Sequence, residues 1–596
     1  MLKVVIFSGG TGSRALQEGI NDIFKDKIDL SIIINAYDNG LSTGDVRKVM
    51  NGKILGPSDL RKNQVYQSEL KWLKYPSTEG MKTMVEFLNY RFDAVDAKLA
   101  KEHVLKYTRD TFPEFQKDKN DNIIKADKRA LLRNNFISLI EKFFDNSEAN
   151  IVSYSNFALS NIIYAALAQI NDYSLDIAGE IMATEYLKIP KNRVFLVSDE
   201  SLFLHAMTES GKRIIDEGVL VEWNNPKDKI NEVFLVNDKL ERKSPTISDK
   251  TIETVRAADV IIFSCGTQWS SLIPTYIHTG FRPLIEKSKA KKYLVMNNQQ
   301  DEDMLGIDSD NLQDILNDYL PMKEITTVFN SCAYPTMKTM NTNFPSLEGR
   351  FNNNYSKTHD SIRLTKFIFK DYYAHNVDKF LFDFDGTIIG RHNDYKNESE
   401  YNMLSFRRNE TFAIITGNSL SHINKHLGRN NSQNEIYCDG GNSRCTWSDS
   451  VGRFVFRNYI NEKYVMLNEE IEHIYSVIVE TGIPAYKIEN RNNVVISIKP
   501  LEIKEKMEKF EALQALLYAY QIKINGKTTI DIMKKNYTKL VIFESRRFKG
   551  KRILYVGDEL EKGNDEVFDN RKDTIVYPVN NPKDTSILMK IFYDEK

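Results

Sequence analysis

The stretch Phe380 to Gly390, FLFDFDGTIIG, constrains this chain more than any other. Apolar residues run up to Asp383 and Asp385, and Gly386 and Thr387 then break the run, the pattern of a buried strand that ends in a loop presenting two carboxylates. Asp383 is placed to attack a phosphorus atom and form an aspartyl-phosphate. Asp385 is placed to protonate the leaving oxygen and later to activate water. Two carboxylates and a phosphate repel one another in a small site, so this division of labour calls for Mg²⁺ or an equivalent cation.

The last third of the chain repeats the theme. Phe412 to Ser419, FAIITGNS, is another apolar run ending in a small polar loop, where Thr416, Gly417 and Asn418 offer a hydroxyl and backbone N–H groups to phosphoryl oxygens. Ile553 to Asp565, ILYVGDELEKGND, is a third, with Asp558 and Asp565 as carboxylates for a divalent ion. Lys534, Lys535 and Lys539 lie between them, and one ammonium of this group can neutralise the phospho-enzyme. Three strand-then-polar-tip units in this order resemble the haloacid dehalogenase (HAD) phosphohydrolase superfamily over residues 377 to 596. The resemblance implies that Asp383 is the nucleophile, Asp385 the acid/base, Thr416 the phosphate-binding hydroxyl and Lys539 the lysine, with Lys535 as its rival. It implies a Mg²⁺ site of Asp383, Asp385, Asp558 and Asp565, and a substrate-covering α/β cap over residues 443 to 527. Hydrolysis of a phosphate monoester is the expected outcome, and a mutase would use the same residues.

At 596 residues the chain exceeds one core. A hydrophobic fraction of 41% with 27% charged residues is that of globular protein, and a net charge of −1 argues against a nucleic-acid surface. The four cysteines form no CxxC pair. The start MLKVVIFSGG lacks the basic head and long apolar core of a signal peptide, and no stretch is apolar for long enough to span a bilayer, so a cytoplasmic protein is expected.

That start carries a second theme. Lys3 to Phe7 reads as a buried strand, followed at once by Ser8-Gly9-Gly10-Thr11-Gly12-Ser13 and a helical run through Leu16 and Ile20. Glycines let the backbone approach a phosphate, and the helix N-terminus adds partial positive charge. Leu30 to Ala36 is another buried run, emptying into Tyr37-Asp38-Asn39-Gly40. Gly56-Pro57-Ser58-Asp59-Leu60-Arg61 puts an acid and a base in one turn. Ala258 to Phe263 leads to Ser264-Cys265-Gly266-Thr267-Gln268-Trp269-Ser270-Ser271, and Lys292 to Met296 leads to Asn297-Asn298. In open α/β sheets ligands gather at such carboxyl ends.

GGTGS, NAYDNGLSTGDVR, GPSDLR, LNYRF, LSNIIYAAL and AADVIIFSCGTQWSSLIP resemble, in this order, the 2-phospho-L-lactate transferase (CofD) family and its YvcK-type branch, the gluconeogenesis factors. The resemblance implies that Gly9, Gly10, Thr11, Gly12 and Ser13 meet a ligand diphosphate. Asp38 would hold a metal or an attacking hydroxyl, and Asp59, Arg61, Asn161, Gly266, Thr267, Ser270 and Asn297 would line the pocket. CofD enzymes move a phospho-acyl group from a nucleoside diphosphate derivative to a deazaflavin alcohol, whereas YvcK-type relatives are nucleotide-sugar-binding regulators. This chain departs from the pattern at Asn39, where a second acid is usual, and at Ser58, where a glycine is usual. The lost carboxylate weakens a divalent-metal site.

The fold class expected is α/β: a Rossmann-like CofD/YvcK-type domain (1–345), then a HAD Rossmannoid core (377–442 and 528–596) with the inserted cap (443–527). Residues 93–151 read as a charged helical insertion with apolar spacing at Leu131, Leu132, Phe136, Leu139 and Ile140, either a solvated flap or a partner surface or lid over the first site, and 346–376 as a polar linker. The ligands implied are a nucleotide-linked molecule and a small phosphate ester, with no nucleic acid and no membrane, and a homodimer is compatible with all of this.

Overall fold

A strand buried on both faces reads as a near-continuous apolar run, and Leu2–Ser8 does so: only Lys3 is exposed. The structure is a computed structural model; it describes the 596 residues apart from 26, 75–78, 114, 118–122, 126, 216, 332, 334–342, 352–357, 391–393, 409–410, 428–433, 500–502, 526–528, 559–564, 569–570, 572 and 593–596. The chain divides into two compact units, Lys3–Ile368 and a second made of Phe369–Lys596 with Met1–Leu2. Among the described residues no helix is long and apolar enough to cross a membrane.

The first unit is built on a seven-stranded sheet in the order Ser346–Gly349, Ile325–Asn330, Lys291–Val295, Val260–Phe263, Leu2–Ser8, Ile28–Ile34, Val194–Leu196. Neighbours run parallel from Ser346–Gly349 through to Leu2–Ser8, and again between Ile28–Ile34 and Val194–Leu196. From Leu2–Ser8 the chain builds one side of the sheet and then returns to build the other. The strand order therefore reverses between Leu2–Ser8 and Val260–Phe263, and a crevice opens where their carboxyl ends diverge. A separate four-stranded sheet contains Phe203–Thr208 and Ile230–Val236, paired antiparallel.

Two expectations for this unit need correction. The charged stretch after Asp93 is not a solvated flap. Helices Ala97–Thr111 and Asp127–Phe144 pack through Phe136, Leu139, Ile140 and Phe143, with Phe87, Phe112 and Phe136 ring against ring at 4.9–5.7 Å; Leu131 is exposed. Nor do the described residues of 346–376 form a linker; 352–357, the centre of that expectation, lie outside the described residues. Ser346–Gly349 is the edge strand, registered on Thr327 to Asn330, and Ser361–Asn376 is a helix whose Leu364, Ile368, Tyr372 and Tyr373 are buried. Its polar composition misleads because an edge strand needs only one buried neighbour.

The second unit has a seven-stranded sheet ordered Arg453–Tyr459, Ser443–Ser448, Glu435–Cys438, Phe412–Ile415, Lys379–Phe382, Ile553–Gly557, Thr574–Pro578. Its last five strands are mutually parallel, and the order reverses at Lys379–Phe382, directly before Asp383. A smaller antiparallel sheet, Ile488–Arg491, Val495–Ile498, Thr529–Lys534, Tyr520–Asn525, packs with helices Asn468–Glu480 and Ile503–Leu516 around Ile474, Ile478, Ile496, Leu513, Ile530 and Ile532.

That smaller sheet shifts the cap's borders. Residues 443–459, expected in the cap, are two antiparallel strands of the core sheet. Asp439, Gly440 and Gly441 all take positive φ (56°, 72° and 100°), which reverses the chain within a few residues and lays Ser443 against Cys438. At the other border Thr529–Lys534, expected in the core, pairs with both cap strands because Ile530 and Ile532 alternate toward the cap helices.

Candidate functional site

In the second unit, chemistry-bearing side chains meet at the carboxyl end of Lys379–Phe382. The Asp383 N–H donates to Val556 O (2.8 Å), locking the strand end to its neighbour, and Gly386 (φ 83°) turns the chain in a conformation a side chain would strain. One oxygen from each of Asp383, Asp558 and Asp565 lies within 4.8 Å of the others. Lys539, at the start of a 3₁₀ turn, donates from Nζ to Asp383 Oδ1 (2.9 Å) and Asp565 Oδ1 (2.5 Å). Burial works against its charge, but Asp383 and Asp565 outweigh burial and hold the ammonium protonated well above the usual lysine range. Burial pushes the Asp383 carboxyl up, with Asp565 and Asp558 adding to the push and Lys539 opposing it.

The donor set fits a hard divalent cation. Three carboxylates converge on one point, and Asp565 Oδ2, fully buried, has no hydrogen-bond partner among the described residues. The structure draws Asp383, Asp558, Asp565 and Lys539 together and leaves Lys535 exposed on the turn after Thr529–Lys534. The Asp385 carboxylate, expected among the metal ligands, stands outside the cluster. Its oxygens meet Asn418 Nδ2 (2.5 Å) and His422 Nε2 (3.0 Å). Thr416 Oγ1 accepts the Asn418 N–H (3.0 Å), so the hydroxyl shapes its own loop. The Gly417 carbonyl accepts from Arg491 Nη1 (2.5 Å) on the cap, and next to it Asn492 Nδ2 reaches Asp439 Oδ2 (2.5 Å). His422, Arg491 and Asn492 carried no signal in the sequence, since each belongs to an element whose place above the site only the fold reveals.

In the first unit the glycine loop sits at the crevice. A Cβ on Gly12 would lie 2.0 Å from the Cys265 carbonyl oxygen, and one on Gly9 2.7 Å from Ser271 Cβ, so glycines are what let the two loops close on each other. Asn63 Nδ2 donates to the carbonyls of Gly9 (2.9 Å) and Gly10 (3.2 Å). The Ser13 hydroxyl is bonded to Ser8 and Gln17 and holds the loop's base, whereas Thr11 is exposed. Across the crevice Gly266 N–H donates to Asn297 Oδ1 (2.8 Å), Asn297 Nδ2 returns a bond to Gly266 O (3.0 Å), Thr267 bonds Ser271 (2.8 Å), and the buried Ser270 hydroxyl has no partner among the described residues.

Asp38 and Asp59 lie near one another, with Lys62 Nζ 3.1 Å from Asp59 Oδ1 and both groups beside Gly10. Arg61 turns from the turn's acid to Asn161 Oδ1 (2.7 Å), and Asn161 reaches Ser42 (3.3 Å). The carboxylate missing at Asn39 is replaced in space. Asn39 Oδ1 accepts the Glu217 N–H (2.9 Å), which places the Glu217 side chain against Asp38. Burial, then Asp38, pushes the Glu217 carboxyl up to about 9, and burial with Asp59 raises Asp38. Lys62, Asn63 and Glu217 escaped the sequence reading; Glu217 stands too far along the chain for any motif to tie it to Asp38.

Fold and sites define a protein of two α/β units, each built on a largely parallel sheet whose strand order reverses beside a cluster of polar loops, the second carrying an inserted antiparallel subdomain. A family model described as 2-phospho-L-lactate transferase CofD matches residues 4–335, and the chain belongs to that family. It is 23% identical over 343 residues, covering 57% of this chain and 81% of the relative, to a putative gluconeogenesis factor of Lactococcus lactis. Among solved structures, a UPF0052 family member from Bacillus halodurans is 19% identical with a TM-score of 0.43, over 62% of this chain and 99% of that one. An N-terminally truncated IMP-nucleotidase of Plasmodium falciparum is 16% identical with a TM-score of 0.26, over 39% of this chain and 74% of that one.

Proposed function

We propose that the second unit is a Mg²⁺-dependent phosphomonoesterase for a small, sugar-like phosphate, and that the first binds a nucleoside diphosphate-linked ligand and transfers its phosphorylated moiety to an acceptor. The observation that carries the first half of this reading is Lys539 bridging Asp383 and Asp565 at the sheet's switch point. An Asp383 oxygen bonds to phosphorus while the ester P–O bond breaks, and Asp385 gives its proton to the leaving oxygen. In the second step Asp385 takes a proton from water as the water oxygen displaces Asp383. Lys539 opposes the push of burial on the Asp383 carboxyl and orients it for attack. Mg²⁺ held by Asp383, Asp558 and Asp565 would supply the charge that lets a phosphate dianion enter a carboxylate-lined site.

Asp383→Asn in the full-length protein is expected to lower hydrolysis of 4-nitrophenyl phosphate by at least about 10³-fold while the circular dichroism spectrum keeps its folded shape. Retained activity would remove the nucleophile. The same variant, with the phosphatase silent, tests the first unit: incubation with nucleoside diphosphate derivatives and an acceptor releases a mononucleotide if it transfers. A second reading is sensing, in which the first unit binds a nucleotide-sugar and governs the phosphatase. Asp59 paired to Lys62 (3.1 Å) favours it, because that acid is compensated without an ion. Saturable binding with no mononucleotide release selects that reading.

A further inference from the structure

The Asp385 carboxylate is the one reacting group whose support comes from neither the carboxylate cluster nor Lys539. Both of its oxygens are held. Asn418 Nδ2 donates to Oδ2 at 2.5 Å, and His422 Nε2 lies 3.0 Å from Oδ1; since a carboxylate oxygen only accepts, His422 is the donor. Each donor is itself fixed. The Asn418 N–H donates to Thr416 Oγ1 (3.0 Å), and its carbonyl accepts from the Asp439 N–H (3.1 Å). His422 stands on the helix Leu420–Leu427, with the His426 ring 4.7 Å away and Phe384 edge-on at 6.0 Å. Beyond the turn, Gly386 N–H bonds Ile389 O (2.8 Å) and the Asn402 side chain bonds Ile388 O (3.1 Å), so the loop beneath Asp385 is anchored from its far side too.

We propose that His422, with Asn418, is the positioning residue for the general acid/base of the phosphatase reaction; this rests on the phosphatase reading given above. A carboxyl group that must hand a proton to a leaving oxygen, and then take one from water, has to present the same oxygen twice in the same direction. Free rotation about its χ angles would spoil that geometry. Two donors from the loop and helix following Phe412–Ile415 remove the freedom. His422 touches neither phosphorus nor leaving group; it acts through Asp385.

Such a role has a kinetic signature that simple structural support lacks. The specificity constant kcat/KM covers steps up to phospho-enzyme formation, in which the leaving oxygen is protonated. 4-Nitrophenolate departs with little help from an acid, whereas the alkoxide of β-glycerophosphate needs its proton. In the full-length protein with Mg²⁺, His422→Ala is expected to lower kcat/KM about 30-fold or more for β-glycerophosphate and less than about 5-fold for 4-nitrophenyl phosphate. His422→Gln, whose amide can still donate, should recover most of the loss on the alkyl ester. Equal losses on both esters, no loss on either, or a glutamine variant no better than alanine overturns the proposal while the phosphatase reading stands. Wild-type protein that hydrolyses neither ester overturns the phosphatase reading, and this inference with it.

Discussion

Lys539 shows how burial selects among chemically identical side chains. Lys534, Lys535 and Lys539 sit within six residues, and spacing alone left the last two as rivals. Lys534 pairs with Glu470 in the cap (3.1 Å), Lys535 faces solvent, and Lys539 is buried between two carboxylates. Removing one member of a buried, multiply bonded charge group leaves its partners uncompensated, which costs about 3–5 kcal/mol. Lys539→Met should therefore unfold at lower urea by about that amount in the absence of divalent ion, and Lys535→Ala should stay within about 0.5 kcal/mol of wild type. The gathering of Asp383, Asp558 and Asp565 was legible because each follows an apolar run, a pattern written in consecutive letters. Glu217 was not, because its closeness to Asp38 comes from a hydrogen bond between Asn39 and a residue 178 positions away.

At the scale of elements, two contacts tie the hairpin of the cap to the loops of the core sheet. Arg491, nearly buried, and Asn492 stand at the turn between Ile488–Arg491 and Val495–Ile498, and both reach the loops that follow Phe412–Ile415 and Glu435–Cys438. With Arg491→Ala the Gly417 carbonyl loses its charged donor. Amide hydrogen exchange should then quicken at 416–419 and 488–492, and kcat/KM for phosphate esters should fall by about 10-fold. The glycine loop of the first unit makes an opposite case, where closeness rather than bonding does the work. Gly12→Ala sets a methyl 2.0 Å from Cys265 O and 2.8 Å from Cys265 C, a backbone clash no rotamer relieves. Titration calorimetry with a nucleoside diphosphate should show affinity lost by about 10-fold or more, with the unit destabilised by about 1–3 kcal/mol. Strands were easier to place than borders for a related reason. Alternation identifies Thr529–Lys534 and Arg453–Tyr459 as strands, yet which sheet each joins is set by the turn at Asp439–Gly441 and by the cap helices.

For the molecule as a whole, the buried histidines among the described residues, His205, His278 and His359, all belong to the first unit. His278 and His359 are both buried in the first unit. His278 Nδ1 donates to Thr275 O and its Nε2 accepts from the Tyr37 hydroxyl, each at 2.9 Å, and His359 Nε2 is bonded to Met296 O at 3.0 Å. Burial lowers both from 6.5 to about 4, against the weaker pull of their backbone carbonyl partners. Unfolded, each would take up its proton near pH 6.5; folded, it stays neutral until about pH 4. Between those values the unfolded chain binds more protons, so the stability these groups confer is complete above about pH 6.5, declines as the pH falls, and levels off below about 4. The full loss is about 3 kcal/mol for each histidine. Calorimetry should accordingly show the transition of residues 3–368 moving to lower temperature between pH 6.5 and 4.5 by more than that of residues 369–596. Carboxylates titrate in the same window, so the histidine share needs its own measurement: His278→Gln keeps a donor and an acceptor at that position but cannot gain a proton. Its stability should fall less steeply with acid than that of wild type, by up to one proton's slope, and an unchanged slope would show that His278 titrates alike in both states.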